Sequence, residues 1–207
     1  MISFPVLRNA TEGVPYKYTP GVPFWENPFR LSTTPSLTGT RADDKSDPMV
    51  KTYFLEMMSR EELRPKRADV PGLRVVRVEI PCPGFNRFLD AAVGSDWNWF
   101  ARTEWTDRQW RDYADRPELE TWVAYVSGTP AGYFELELQP DANVEIPRFG
   151  LLPGFIGRGL GGHLLTVAVE RAWETGASRV WLHTCTDDHP NALANYRARG
   201  FRVYKEE

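Results

Sequence analysis

Residues 144–165 read VEIPRFGLLPGFIGRGLGGHLL, and this stretch decides the fold. Its first part, 144–152, follows two predicted strands and a short loop, and it predicts the third strand of an antiparallel meander. Apolar residues recur every four positions from Leu160 to Ala172, which predicts a helix over 161–175. Six of the 16 glycines lie between positions 150 and 162. The strand therefore passes into the helix through a glycine-rich loop.

This loop has the properties of an anion site. The first N–H groups of a helix lack intrahelical partners and carry partial positive charge, and glycine lets a phosphate oxygen approach the backbone. A flexible strand-to-helix turn without a ligand is the alternative. We predict that the loop binds a diphosphate through backbone amides and one cation, with the residues Gly157, Arg158, Gly159, Leu160, Gly161 and Gly162.

Two other phosphate-binding patterns fit this loop poorly. The nucleotide triphosphatase loop needs Lys and then Ser or Thr after its last glycine, whereas His163 follows Gly162. The dinucleotide fingerprint G-x-G-x-x-G is literally present from Gly157 to Gly162. That motif normally opens its domain, however, and only 45 residues follow Gly162. A nicotinamide or flavin enzyme is therefore disfavoured.

The rest of the chain predicts an α/β domain at 49–207 behind an N-terminal arm at 1–48. The arm contains seven of the 17 prolines together with aromatic residues such as Phe24 and Trp25. Since these side chains are costly to leave in water, we expect the arm to pack over the domain or over a second subunit, which is compatible with a homodimer. The other predicted strands cover 50–58, 73–80, 120–126, 131–138, 179–184 and 201–204, and the other predicted helices cover 88–93, 107–114 and 190–199.

The order of strand, glycine loop, helix, strand, helix and terminal Gly-Phe resembles the GNAT superfamily of acetyl-CoA-dependent N-acetyltransferases. Two blocks carry the resemblance, which covers about residues 73–204: the stretch at 144–165 and NALANYRARGF at 191–201. It implies a twisted, mostly antiparallel sheet flanked by helices. It also implies that the sheet splays near Phe149, Gly150 and Leu151, whose backbone would hold the pantetheine arm of acetyl-CoA. Tyr196 matches the tyrosine that protonates the leaving thiolate, although a packing role for it stays open.

The chain departs from the family pattern at three points. Ile156 stands at the Gln or Arg position of the loop, and His189 stands where many members carry Asn. Only one clear strand follows the last helix, where the family commonly has two. We expect residues 50–58 to supply the missing edge of the sheet.

Glu145 and Glu137 are the predicted catalytic carboxylates, and the base is one of them or a water. The resemblance favours Glu145, because it precedes Leu151 by six residues, as a glutamate does in histone-acetylating members of the family. If the loop at 139–143 is symmetric, Glu137 lies directly opposite Glu145 on the same face. Two facing carboxylates repel, so we expect the pair to retain a proton into the range useful for deprotonating an ammonium. A solvated sheet face is the alternative explanation. His183 and Cys185 are expected to pack rather than to catalyse.

The expected acceptor is a primary amine of a small molecule or peptide, and an inactive acyl-CoA-binding sensor or scaffold is the alternative function. Four aromatic residues between the first two predicted helices either wall the acceptor site or belong to the core: Trp97, Trp99, Phe100 and Trp105.

Composition excludes several classes of partner. The chain has 25 Lys and Arg against 28 Asp and Glu, a net charge of −3, which disfavours nucleic acid. No apolar run approaches the roughly 20 residues that span a bilayer, so we expect no membrane contact and a cytoplasmic location. Two cysteines and three histidines show no zinc-type spacing, so no metal is expected.

Overall fold

The computed structural model describes residues 50–97 and 99–207. The predicted arm at 1–48 lies outside the described residues, so its packing stays a prediction. The described chain contains seven strands and four α-helices. The strands are β1 (Thr52–Met57), β2 (Leu73–Arg77), β3 (Leu119–Val126), β4 (Thr129–Gln139), β5 (Asn143–Leu151), β6 (Arg179–Cys185) and β7 (Arg202–Glu206). The helices are α1 (Pro83–Gly94), α2 (Asp107–Ala114), α3 (Leu160–Glu174) and α4 (Ala192–Ala198).

The strands of the described residues form one twisted sheet in the order β2-β3-β4-β5-β6-β1-β7. Five neighbouring pairs are antiparallel, and only β5 and β6 run parallel. The hairpins β3–β4 and β4–β5 are the meander that the sequence predicts. The helix α3 provides the crossover that a parallel pair requires. The predicted mostly antiparallel sheet is therefore confirmed.

The structure corrects the position of the first strand. The sequence predicts that residues 50–58 form a sheet edge, but β1 lies inside the sheet, antiparallel to both β6 and β7. Leu55 and Met57 of β1 are fully buried. An interior position buries these two side chains in the core under α3, which an exposed edge would do less completely. The edges of the described sheet are β2 and β7.

Hydrophobic residues cover the two faces of the sheet in separate clusters. On one face, Leu164 of α3 packs with Phe134 and Leu136 of β4. On the other face, Leu89 and Val93 of α1 pack against β3 and β4. Successive side chains of a strand point to opposite faces, so β4 serves both clusters. The domain thus has two layers of helices with the sheet between them.

Helix α1 begins five residues before the predicted start at 88. Pro83 opens the helix, where its missing N–H costs nothing and its fixed φ suits the first turn. Helix α2 has the predicted bounds, and Thr106 caps it in a reciprocal capping box with Gln109. The C-terminal end of α1 matters for the site, because Val93 lies directly against Gly150 of β5.

Candidate active site

The sheet splits between β5 and β6. Only three residue pairs join these two strands in the described chain, from Asn143↔Arg179 to Glu145↔Trp181. Beyond them β5 pairs only with β4, and β6 pairs only with β1. The register of β4 against β5 shifts next to Pro147, and such a bulge bends a strand. The split opens a cavity of about 490 Å³, a volume typical of small-molecule sites.

The glycine loop forms one side of this cavity, with Gly157, Gly159, Gly161 and Gly162 in its lining. Gly157 and Gly159 have φ values of +81° and +78°, in the left-handed region that favours glycine. No side chain caps α3 at Gly159, so the first N–H groups of the helix are available to an anion. The predicted loop residues Arg158 and Leu160 do not line the cavity.

Arg158 is exposed, and its guanidinium carbon lies 5.2 Å from the centre of the Phe155 ring. Leu160 is buried as the first residue of α3. A cation that the sequence does not single out, Lys66, lines the cavity instead. A Cβ on Gly162 would lie 2.8 Å from Lys66 Cδ, which places this lysine directly against the loop. Lys66 belongs to the irregular segment between β1 and β2, where no spacing pattern signals a ligand.

The structure brings residues 149–151 and Tyr196 together in the cavity lining. The rings of Phe149 and Tyr196 meet edge to face, with their centres 5.9 Å apart. Burial, and to a smaller degree the charge of Asp188, raises the pKa of Tyr196 above its ordinary value, so the phenol is protonated at neutral pH. A Cβ on Gly150 would lie 2.3 Å from a side-chain atom of α1, so glycine allows the helix to close this side of the cavity.

Aromatic side chains from the segment after α1 form another wall, made of Trp97, Trp99 and Phe100. Trp99 Nε1 donates a hydrogen bond to Asp188 Oδ1 at 3.1 Å, and the Trp97 ring packs edge-on against His189 at 4.8 Å. Asp188 and His189 belong to the loop between β6 and α4. These two contacts therefore join the segment after α1 to the loop that follows β6, on the wall of the cavity.

Trp105 lies outside the cavity lining, unlike the other three aromatic residues predicted for this wall. It packs over the guanidinium of Arg102, which is buried with Glu135 at 3.3 Å and Asp90 at 3.7 Å. Asp90 also binds Arg148 at 2.8 Å, and Arg148 lines the cavity. Two arginines and two carboxylates thus form a charge-balanced network beneath the wall. Sequence reasoning missed it because its members lie on four separate elements.

Glu137 and Glu145 lie directly opposite each other, in the register that a symmetric loop predicts. Neither lines the cavity. Arg116 donates to both oxygens of Glu137, at 3.2 and 2.9 Å, so the two carboxylates do not face each other uncompensated. Glu145 Oε2 accepts a hydrogen bond from Gln139 Nε2 at 2.8 Å, and its Oε1 lies 3.6 Å from His183 Nδ1.

His183 and Cys185, which the sequence predicts to pack rather than to catalyse, both line the cavity. The His183 side chain is 45% exposed. Burial raises the pKa of the Cys185 thiol, which keeps it neutral and a weak nucleophile at neutral pH.

Within residues 50–97 and 99–207, no three His, Cys, Asp or Glu side chains are grouped to hold a metal ion. No helix in that part of the chain is both long enough and apolar enough to cross a membrane.

Comparisons with known proteins agree with this architecture. Residues 88–201, more than half of the chain, match the model of the Acetyltransferase (GNAT) family. The chain is 35% identical over 107 residues to a mycothiol acetyltransferase of Corynebacterium aurimucosum, an alignment that spans 48% of this chain and 34% of that protein. It is 28% identical over 104 residues to an uncharacterised N-acetyltransferase of Mycobacterium tuberculosis. That alignment spans 50% of this chain and 66% of the relative.

Solved structures share the fold. A GCN5-related N-acetyltransferase from Kribbella flavida superposes with a TM-score of 0.56 at 18% identity, over 75% of this chain and 55% of that one. A GCN5-related N-acetyltransferase from Sphaerobacter thermophilus gives 0.57 at 18% identity, over 77% and 50%. This chain belongs to the GNAT acetyltransferase family. It spans about a third of the mycothiol acetyltransferase and about half of these structural relatives.

Proposed function

We propose that this chain is an acetyl-CoA-dependent N-acetyltransferase that moves an acetyl group directly to a primary amine of a small molecule or peptide. The observation that carries the proposal is the split between β5 and β6 beside an uncapped helix N-terminus. An open strand edge, an anion site and a buried phenol thereby meet in one cavity. These three features suit a donor that carries a diphosphate, an arm with amide groups and a thiolate leaving group.

The donor fits along the line from the glycine loop to β5. The first N–H groups of α3 and the Lys66 ammonium suit the diphosphate of acetyl-CoA. The edge of β5 beyond Glu145 suits the amide groups of the pantetheine arm, as an added strand suits an open sheet edge. We assign to the backbone around Gly150 the N–H that meets the thioester oxygen, where negative charge develops during transfer.

Tyr196 is our candidate for the acid that protonates the departing thiolate. Tyr196 lines the cavity, and burial keeps its hydroxyl group protonated until a strong base appears. The alternative packing role is compatible with the same burial, because the ring also contacts Phe149 and Phe201. Only the rate of transfer separates the two roles.

The acceptor would approach the wall of Trp97, Trp99 and Phe100. Aromatic faces and the nearby carboxylates of Asp187 and Asp188 suit a cationic amine with an apolar body. A base is needed because such an amine is an ammonium at neutral pH. Of the two predicted carboxylates we propose a role only for Glu145, because Arg116 already binds both carboxylate oxygens of Glu137.

The test combines binding with turnover. Titration calorimetry measures CoA binding, and a thiol reagent measures CoA release from acetyl-CoA with 2-phenylethylamine, spermidine, glucosamine or an unblocked dipeptide as acceptor. We expect CoA to bind and at least one amine to accelerate thiol release. Absence of CoA binding would refute the proposal. Binding without thiol release for any amine would instead favour the alternative, an acyl-CoA-binding sensor or scaffold.

A further inference from the structure

One ionisable side chain of the cavity has no part in the mechanism so far. His183 of β6 lines the cavity, and its side chain is nearly half exposed. Its ring lies beside Phe54, its partner across β1, at 6.0 Å, and beside Trp181 at 6.4 Å. These two rings and the strand backbone restrict the imidazole to a few orientations.

A chain of polar groups leads from the sheet to this imidazole. Trp181 Nε1 donates to Gln139 Oε1 at 3.0 Å, and Gln139 Nε2 donates to Glu145 Oε2 at 2.8 Å. The other oxygen of Glu145 faces His183 Nδ1 at 3.6 Å. We assign the imidazole proton to Nδ1, because a carboxylate oxygen can only accept. The lone pair of Nε2 is then available to a ligand.

We propose that His183 is the catalytic base that takes the proton of the acceptor ammonium, and that Glu145 is its positioning residue. This inference rests on the proposed acetyl transfer. Glu145 itself is a poor candidate for direct contact, because it does not line the cavity, its side chain is only 14% exposed and Gln139 occupies one oxygen. An imidazole can accept a proton at one ring nitrogen while the other nitrogen donates to a carboxylate, which is the exchange that an acceptor ammonium requires.

The proton balance is simple. The ammonium N–H bond breaks and its proton passes to His183 Nε2, which leaves a neutral amine. The amine nitrogen bonds to the thioester carbon, the C–S bond breaks, and the thiolate takes the Tyr196 proton. The second proton lost by the new amide nitrogen restores Tyr196 through solvent. The imidazolium passes its proton to water at its exposed edge, so the reaction releases one proton overall.

Several other charged groups act on the imidazole. Glu145 from β5 lies 3.6 Å from it, and Asp187 and Asp188 from the next loop share the cavity with it. Arg148 from β5 also lines the cavity, and Asp90 pairs with Arg148 at 2.8 Å. Cys185 and His189 also line the cavity. On the side of β1 and β7, the Lys205 ammonium lies 4.9 Å from the centre of the Phe54 ring, which is the ring beside His183.

The test measures kcat and KM against pH for wild type, His183→Ala, His183→Gln and Glu145→Gln, with the amine that gives the fastest thiol release. We expect kcat to fall about 100-fold or more in both His183 variants, with CoA affinity unchanged. We also expect their rate to follow the fraction of free amine into the alkaline range, because the enzyme no longer supplies the base. Glu145→Gln should lose less of its kcat. Its pH profile should keep the part that depends on the imidazole, shifted along the pH axis.

Chemical rescue separates a base from a packing residue. Free imidazole should restore rate to His183→Ala, because an exposed position leaves room for it, and should not accelerate wild type. His163→Gln is the matched control, since it removes an imidazole that does not line the cavity and should keep the wild-type pH profile. Wild-type pH profiles in the His183 variants, or no rescue by imidazole, would overturn the assignment while acetyl transfer stands. Absence of thiol release by wild type would overturn both.

Discussion

Gly159→Ala should weaken CoA binding far more than its effect on stability implies. Gly159 has φ +78°, and a Cβ there would meet no atom within 4 Å. The substitution therefore brings backbone strain without a clash, about 1–2 kcal/mol of unfolding free energy. For a domain of this size that lowers Tm by about 2–8 °C. Gly128 in the β3–β4 hairpin is a matched control, with φ +89° and equally open surroundings.

The two variants should differ in affinity. A methyl group at 159 stands where the diphosphate would approach, and loss of one hydrogen bond to a charged group is worth about 1.5–3 kcal/mol. CoA should therefore bind about tenfold to 150-fold more weakly to Gly159→Ala. Gly128→Ala should bind CoA like wild type. Calorimetry at fixed salt, together with thermal unfolding, measures both effects. Equal CoA affinity in the two variants would show that the loop does not hold the diphosphate.

Three further outcomes follow from single side chains. Tyr196→Phe should lower kcat about 100-fold and leave CoA affinity unchanged, and an unaltered kcat would assign the ring to packing. Glu135→Gln removes the nearer of the two carboxylates beside the buried Arg102, and the remaining one, Asp90, also pairs with Arg148. The substitution should cost about 3–5 kcal/mol in urea unfolding, and a loss below about 1 kcal/mol would contradict burial of the pair. Burial, and to a smaller degree the charge of Arg67, lowers the pKa of His163 in the folded chain. As the pH falls through about 6.5, this histidine is therefore protonated in the unfolded chain before it is protonated in the folded one. Stability should therefore decline from pH 7.5 to 5.5, and less steeply in His163→Gln; equal slopes would count against this reasoning.

Much of the fold could be predicted because its signals are local. The period of four in α3, the Thr106 cap of α2 and the turn residues of the hairpins each lie within a few positions of the element they define. Two features were misplaced for the opposite reason. Proline can end a strand or open a helix, so the start of α1 depends on what the helix packs against. The place of β1 depends on pairing with β6, more than 120 residues away.

The same distinction between local and long-range features applies to the candidate site. Glycines at 157–162 and the register that sets Glu137 opposite Glu145 follow from spacing alone. Which side chains meet in the cavity or beside it cannot be predicted in this way, because Lys66, Arg116 and His183 reach their partners only in the assembled fold.

The amino-acid sequence by itself thus determined the elements, the glycine loop and the family, since short-range periodicity and turn chemistry are written in neighbouring residues. Only the tertiary structure decided which carboxylate is neutralised, which cation adjoins the loop and which imidazoles line the cavity. Those contacts join residues far apart in the chain, and they depend on how the whole sheet packs rather than on any local preference.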